Sequence, residues 1–106
     1  MTFQQENLFG GKGIVEIESL LKEGSFPFSA ILHCTLEAGG SVGRHRQQRD
    51  PELVIGVSGQ GTITINGKAH RLEVKTAIFV PFGAILSIDN GSETEPLEYW
   101  IIKVEG

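Results

Sequence analysis

The chain has 106 residues, 40% of them apolar and 21% charged, with a formal net charge of −4. That length supports one hydrophobic core, and the composition excludes a disordered segment. The acidic balance, with only Arg44, Arg46 and Arg49 close together among the basic residues, argues against a phosphate-neutralising surface, so neither nucleic acid nor an anionic membrane is expected as a partner.

In chain order, the start Met1-Thr2-Phe3-Gln4-Gln5-Glu6-Asn7 has no basic segment leading into an apolar core, so no secretory signal is expected. No apolar run approaches the ~20 residues that span a bilayer. Cys34 is the single cysteine, which rules out a disulfide within the chain and makes the cytoplasm the expected location. Short apolar runs separated by Gly, Pro, Asn and Asp predict an all-β protein, with strands over 13–19, 28–36, 42–47, 53–58, 61–65, 69–72, 77–80, 85–89 and 97–104. The helix-compatible stretch 17–23 stops at Gly24 and is read as a strand end plus a turn.

Alternation assigns faces. In 28–36 the even positions Phe28, Ala30, Leu32, Cys34 and Leu36 make an apolar face, and Ser29, Ile31, His33 and Thr35 make the other. His33 is therefore expected outside the barrel, and Cys34 inside as a small hydrophobe. Asn66-Gly67 predicts a two-residue hairpin, since a type I′ turn needs positive φ at both central positions. His70, just after it, is expected to be exposed. Two segments, Leu53-Val54-Ile55-Gly56-Val57 and Tyr99-Trp100-Ile101-Ile102, are apolar on both faces, unlike a half-solvated antiparallel strand. Their surplus predicts a homodimer surface on the outer side of one sheet.

The region 39–59 carries the chemistry. Gly39, His45, Gln47, Glu52 and Gly59 stand at the marked positions of G-x5-H-x-H-x3-4-E-x6-G, with Gln47 in place of the second His. Downstream, Pro81, Gly83 and Asn90 follow G-x5-P-x-G-x2-H-x3-N, with Lys75 in place of the leading Gly and Leu86 in place of the His. In these two stretches, covering about half the chain, the sequence resembles the cupin superfamily. The resemblance implies a cupin-type jelly-roll β-barrel of two antiparallel sheets, a single domain over 1–106 with the first motif at 39–59 and the second at about 76–90. It also implies a metal site in the barrel.

His45 and Gln47, two apart on a strand, point the same way, and Asp50-Pro51 turns the chain so that Glu52 opens the next strand towards the same point. An imidazole, an amide oxygen and a carboxylate together make a three-donor face for a divalent metal such as Zn, Fe, Mn or Ni. The alternative is that these polar groups satisfy one another inside an apolar barrel. With Leu86 where a further His is expected, and Phe79 and Phe82 near it, the lumen is expected to be apolar and to suit a ligand with an apolar body and one polar head; Phe79 is read rather as packing, and Phe82 equally as packing or as lining the barrel mouth. Arg44 and Arg46 alternate away from His45 and are expected at the surface, paired with acids such as Glu73 or Glu37; Arg49 could contact an anion at the barrel mouth, but solvated charge is the preferred reading.

Three functions remain open. The first is a metal-dependent enzyme on a small oxygen-rich substrate, of the dioxygenase, isomerase, decarboxylase or lyase kind, with metal on His45, Gln47 and Glu52. The second is a non-catalytic module that binds or senses a small molecule and has lost its metal centre. The third is metal-free acid/base chemistry by His45 with Glu52; Glu52 is the candidate catalytic base in any reading that leaves it off the metal.

Overall fold

The computed structural model describes residues 1–105 and contains ten strands in two antiparallel sheets. They are β1 (Thr2–Glu6), β2 (Ile14–Ser19), β3 (Phe28–Leu36), β4 (Ser41–Arg46), β5 (Glu52–Ser58), β6 (Gln60–Ile65), β7 (Lys68–Glu73), β8 (Ala77–Val80), β9 (Ile85–Asn90) and β10 (Leu97–Val104). One 3-10 turn, Leu8–Gly10, separates β1 from β2. Sheet order is β1-β2-β3-β10-β5-β8 in the larger sheet and β4-β9-β6-β7 in the smaller. The final strand thus returns to the middle of the larger sheet, between β3 and β5, as a jelly-roll barrel requires.

The core follows the period-2 alternation. Val15, Leu36, Val54, Val80 and Leu97 from the larger sheet meet Val42, Ile63, Leu72, Leu86 and Ile88 from the smaller, all buried. Each fully buried side chain of this kind contributes about 1.5–3 kcal/mol relative to exposure. Asn66 and Gly67 both take positive φ, 50° and 82°, as the hairpin between β6 and β7 demands.

Asn90 explains its own place in the second motif. Its Nδ2 amide donates to the carbonyls of Leu36, Glu37 and Glu95, and its Oδ1 accepts from the Ser92 amide. One buried side chain thereby ties the end of β9 to the end of β3 and to the 91–96 loop.

The expected strands recur with ends moved by at most a residue, and 17–23 is indeed a strand end followed by a turn. Gln47 lies just past the end of β4, not on it. The sequence reading missed β1, whose five residues are all exposed and carry one apolar side chain; it is a strand because it pairs along β2, Thr2 opposite Glu18 through Glu6 opposite Ile14. Phe79 needs a larger correction. On β8 the inward positions are Ile78 and Val80, so Phe79 stands on the outer face at 59% exposure, neither lining the lumen nor packed in the core. No helix among the described residues is long and apolar enough to cross a membrane.

Candidate functional site

Between the sheets, one end of the barrel holds a cavity of about 680 Å³ that is partly open to solvent. Its walls are mostly apolar, aliphatic and aromatic together, with Leu32 and Ile101 from the larger sheet and Leu86 and Ile88 from the smaller. His45, Gln47 and Glu52 all line it, so the three residues singled out in the sequence share one space.

His45 is held from two sides. Its Nδ1 lies 2.8 Å from the carbonyl oxygen of Gly43. A carbonyl can only accept, so Nδ1 carries the proton, and in the neutral ring Nε2 keeps its lone pair. The Phe9 ring stacks on the imidazole, with centroids 3.9 Å apart and planes 14° apart. Burial lowers the pKa of His45, opposed by the bond to Gly43, which favours the protonated ring. Phe9 reaches this position because the chain before β2 is sharply bent: Asn7 and Phe9 take left-handed φ of 55° and 54°, and Gly10 takes 79°. The segment then lies directly on β4. A Cβ added to Gly43 would land on the Phe9 carbonyl oxygen, so only glycine allows the approach.

Gln47 is 3% exposed and fixed at three points. Its backbone amide donates to the Ala84 carbonyl at 2.7 Å, and its carbonyl accepts from Gly83 at 2.8 Å. Its side-chain Nε2 donates to the Asp50 carbonyl at 2.6 Å, which leaves the amide oxygen for the cavity. The Pro81-Phe82-Gly83 turn of the second motif, with Gly83 at φ 85°, thus exists partly to brace the first.

Glu52 is 4% exposed and opens β5, in register with Lys103 on β10. Burial raises the pKa of its carboxyl, and the positive charge of Lys103 works the other way. Such a group is suited to holding a proton. Lys103 and Tyr99 also line the cavity. Sequence reasoning missed both, although Leu97, Tyr99, Ile101 and Lys103 fall on one face of β10 by simple alternation. Cys34, opposite Tyr99 in the β3–β10 ladder, is buried as expected. Burial and then the charge of Glu52 push its thiol up to about 12, while a hydrogen bond with Tyr99 and the charge of Lys103 work against that.

The donor chemistry suits a metal only in part. The imidazole, with its outer nitrogen anchored on a backbone carbonyl, has the support that ligating histidines usually have, and a carboxylate is a good ligand. Gln47 adds a neutral amide oxygen. Leu86 stands opposite His45 in the β4–β9 ladder and donates nothing. No group of three or more His, Cys, Asp or Glu side chains that could hold a metal ion occurs among the described residues. These residues fit an open, weak site and not a closed four-donor centre.

Of the flanking residues, His33 stands outside and Arg46 and Arg49 are exposed as expected, while others stand elsewhere. Phe82 is 67% exposed and does not line the cavity. Glu73 pairs with Arg71, and the Glu37 carboxylate accepts from the Ile14 amide at 2.6 Å, so neither serves Arg44 or Arg46. Arg46 reaches the cavity rim, where its guanidinium donates to the Gly83 carbonyl. Arg49 is exposed and away from the cavity lining. His33 lies on the outer face, bonded to Glu98, and Glu98 is held below the usual carboxylate range chiefly by that bond. His70 is half-buried, not exposed, in a shallow depression beside Arg71.

Comparison with known proteins gives a consistent picture. A protein-family model described as "Cupin domain" matches residues 32–103. The chain is 31% identical over 91 residues to a Thermotoga maritima protein named "Oxalate-binding protein", covering 84% of this chain and 75% of that one. Among solved structures it is similar to a Thermotoga maritima protein described as a predicted oxalate decarboxylase, with a TM-score of 0.91 at 26% identity, covering 100% of this chain and 93% of that one. A cupin domain from Schizosaccharomyces pombe shares the fold at a TM-score of 0.79 and 19% identity, over 98% of this chain and 69% of that one.

Proposed function

The chain belongs to the cupin family, and from that premise we propose that its barrel binds a small molecule whose oxygen-bearing end is held by His45, Gln47, Glu52 and Lys103. The observation that carries this reading is that all four line one cavity whose walls are more apolar than polar, the usual composition of a small-molecule site. The Thermotoga maritima relative named as oxalate-binding supports a carboxylate as the recognised group. Within the site, the lone pair on His45 Nε2 accepts a hydrogen bond and the Glu52 carboxyl holds or moves a proton, so acid/base turnover is open to the same residues. Calorimetric titration with oxalate and other small carboxylic acids tests the reading. Saturable binding that is lost in both His45→Ala and Glu52→Gln is expected; binding by no acid overturns it.

A second reading is favoured by the His45 hydrogen bond to Gly43, which leaves the right nitrogen unprotonated for a ligand role. In it, a divalent metal sits on His45, Gln47 and Glu52. Such an ion would polarise a ligand oxygen as a Lewis acid. Elemental analysis of untagged protein purified without chelator decides it. Metal near one per chain, lost in His45→Ala, supports it; none after incubation with Zn, Fe, Mn and Ni removes it.

The protein is also proposed to work as a homodimer. On the outer face of the larger sheet, Ile31, Ile102, Leu53 and Phe79 stand in one cross-strand row over β3, β10, β5 and β8, beside a second row of His33, Trp100, Ile55 and Ala77. Leu53 is 40% exposed and Phe79 59%. A continuous apolar surface of that kind suits a second copy of the same sheet.

A further inference from the structure

Resting on the binding reading above, we infer that the natural ligand class is an amphipathic monocarboxylate with a hydrocarbon body, and not a compact diacid such as oxalate. Volume is the first reason. A cavity of about 680 Å³ matches those that enclose drug-sized molecules, roughly 300–1,000 Å³, and a two-carbon diacid leaves most of it unfilled.

The layering of the walls is the second. Lys103 faces Glu52 across the β10–β5 ladder; two residues along β10, Ile101 faces Leu32 and Val54. On the opposite sheet, Leu86 is the direct neighbour of His45, and Ile88 of Val42. A polar head group resting near Lys103, His45 and Gln47 therefore meets a hydrocarbon wall one step further in. A second carboxylate pointed at Ile88 and Leu32 would lose its hydration against aliphatic side chains that offer it no hydrogen bond, which costs several kcal/mol in real interiors. An alkyl chain there instead buries apolar surface against apolar surface.

Charge is the third. The cavity lining contains two cations, Lys103 and Arg46, against one acid, Glu52, which favours an anionic head over an amine. Because Arg46 is bonded to Gly83 at the rim, Lys103 is the cation free to meet the carboxylate inside.

The test is calorimetric titration of chelator-treated full-length protein with acetate, butanoate, hexanoate, octanoate, oxalate, 1-hexanol and hexylamine. Affinity should rise by about fourfold per added methylene up to hexanoate or beyond, the gain expected for burying each CH2. Hexanoate should bind more tightly than oxalate, hexanol and hexylamine. In Lys103→Gln, a change at a half-buried strand end, hexanoate affinity should fall by about tenfold, the size of a lost charged hydrogen bond. Oxalate binding more tightly than hexanoate, or affinities flat with chain length, overturns the amphipathic ligand while leaving small-acid binding intact. Failure of every acid to bind overturns both. The chain-length series needs no variant, so a folding defect in Lys103→Gln does not rescue the inference.

Discussion

The Phe9 ring lies flat on the His45 imidazole, 3.9 Å between centroids, and so joins the segment before β2 to the candidate site. Phe9 is 55% exposed, so its outer side faces solvent while its inner side shields the histidine. Together with the Gly43 carbonyl, it leaves the ring one orientation.

Phe9→Ala removes that shield. The pKa of His45, lowered mainly by burial, should rise towards its ordinary value, read from the imidazole proton shifts in an NMR titration. The sign for stability follows. In the wild type the unfolded chain takes up the His45 proton more readily than the folded one, so stability from this group is lost as pH falls below the ordinary value of 6.5. The variant should show a shallower loss, with about 1 kcal/mol less stability at neutral pH from the missing aromatic contact.

Gly43→Ala forces the same segment off β4, because the new methyl would occupy the space of the Phe9 carbonyl. A loss of about 1–3 kcal/mol in urea unfolding is expected, with faster proteolysis near Phe9. Unchanged stability would show that the segment yields freely and does not hold His45.

Asn90→Ala leaves the Leu36, Glu37 and Glu95 carbonyls without their shared donor. Stability should fall by about 2–3 kcal/mol, visible as a lower melting temperature, with ligand affinity at the far end of the barrel little changed.

Cys34 offers a clean pH test. With the folded thiol pushed from 9.0 up to about 12, the native protein at pH 8 should carry roughly a thousandfold less thiolate than the unfolded chain and alkylate correspondingly slowly. Stability from this group is present below pH 9.0 and lost as pH rises towards about 12. Cys34→Ser should weaken that alkaline loss.

The paired outer-face change Leu53→Lys with Phe79→Lys places charge in the middle of the apolar row. Light scattering should find a dimer in the wild type and a monomer in the variant, with the cavity's ligand affinity retained. A monomeric wild type would remove the dimer reading.

Much of this molecule is legible from local rules. Alternation placed Cys34 and Leu36 inside and His33 outside, Asn66-Gly67 marked its hairpin, and the spacing of His45, Gln47 and Glu52 put them on one side of the chain. These follow from backbone geometry, which depends on residues a few positions apart. What only the tertiary structure decided is which strands lie opposite one another. Phe9 meets His45, Lys103 meets Glu52, and Phe79 joins an outer row with Leu53 because of sheet order, and sheet order is settled by pairings between distant segments. The exposed strand β1 shows the same thing: its own residues ask for no strand, and it becomes one because the edge of β2 offers hydrogen bonds that solvent would otherwise fill.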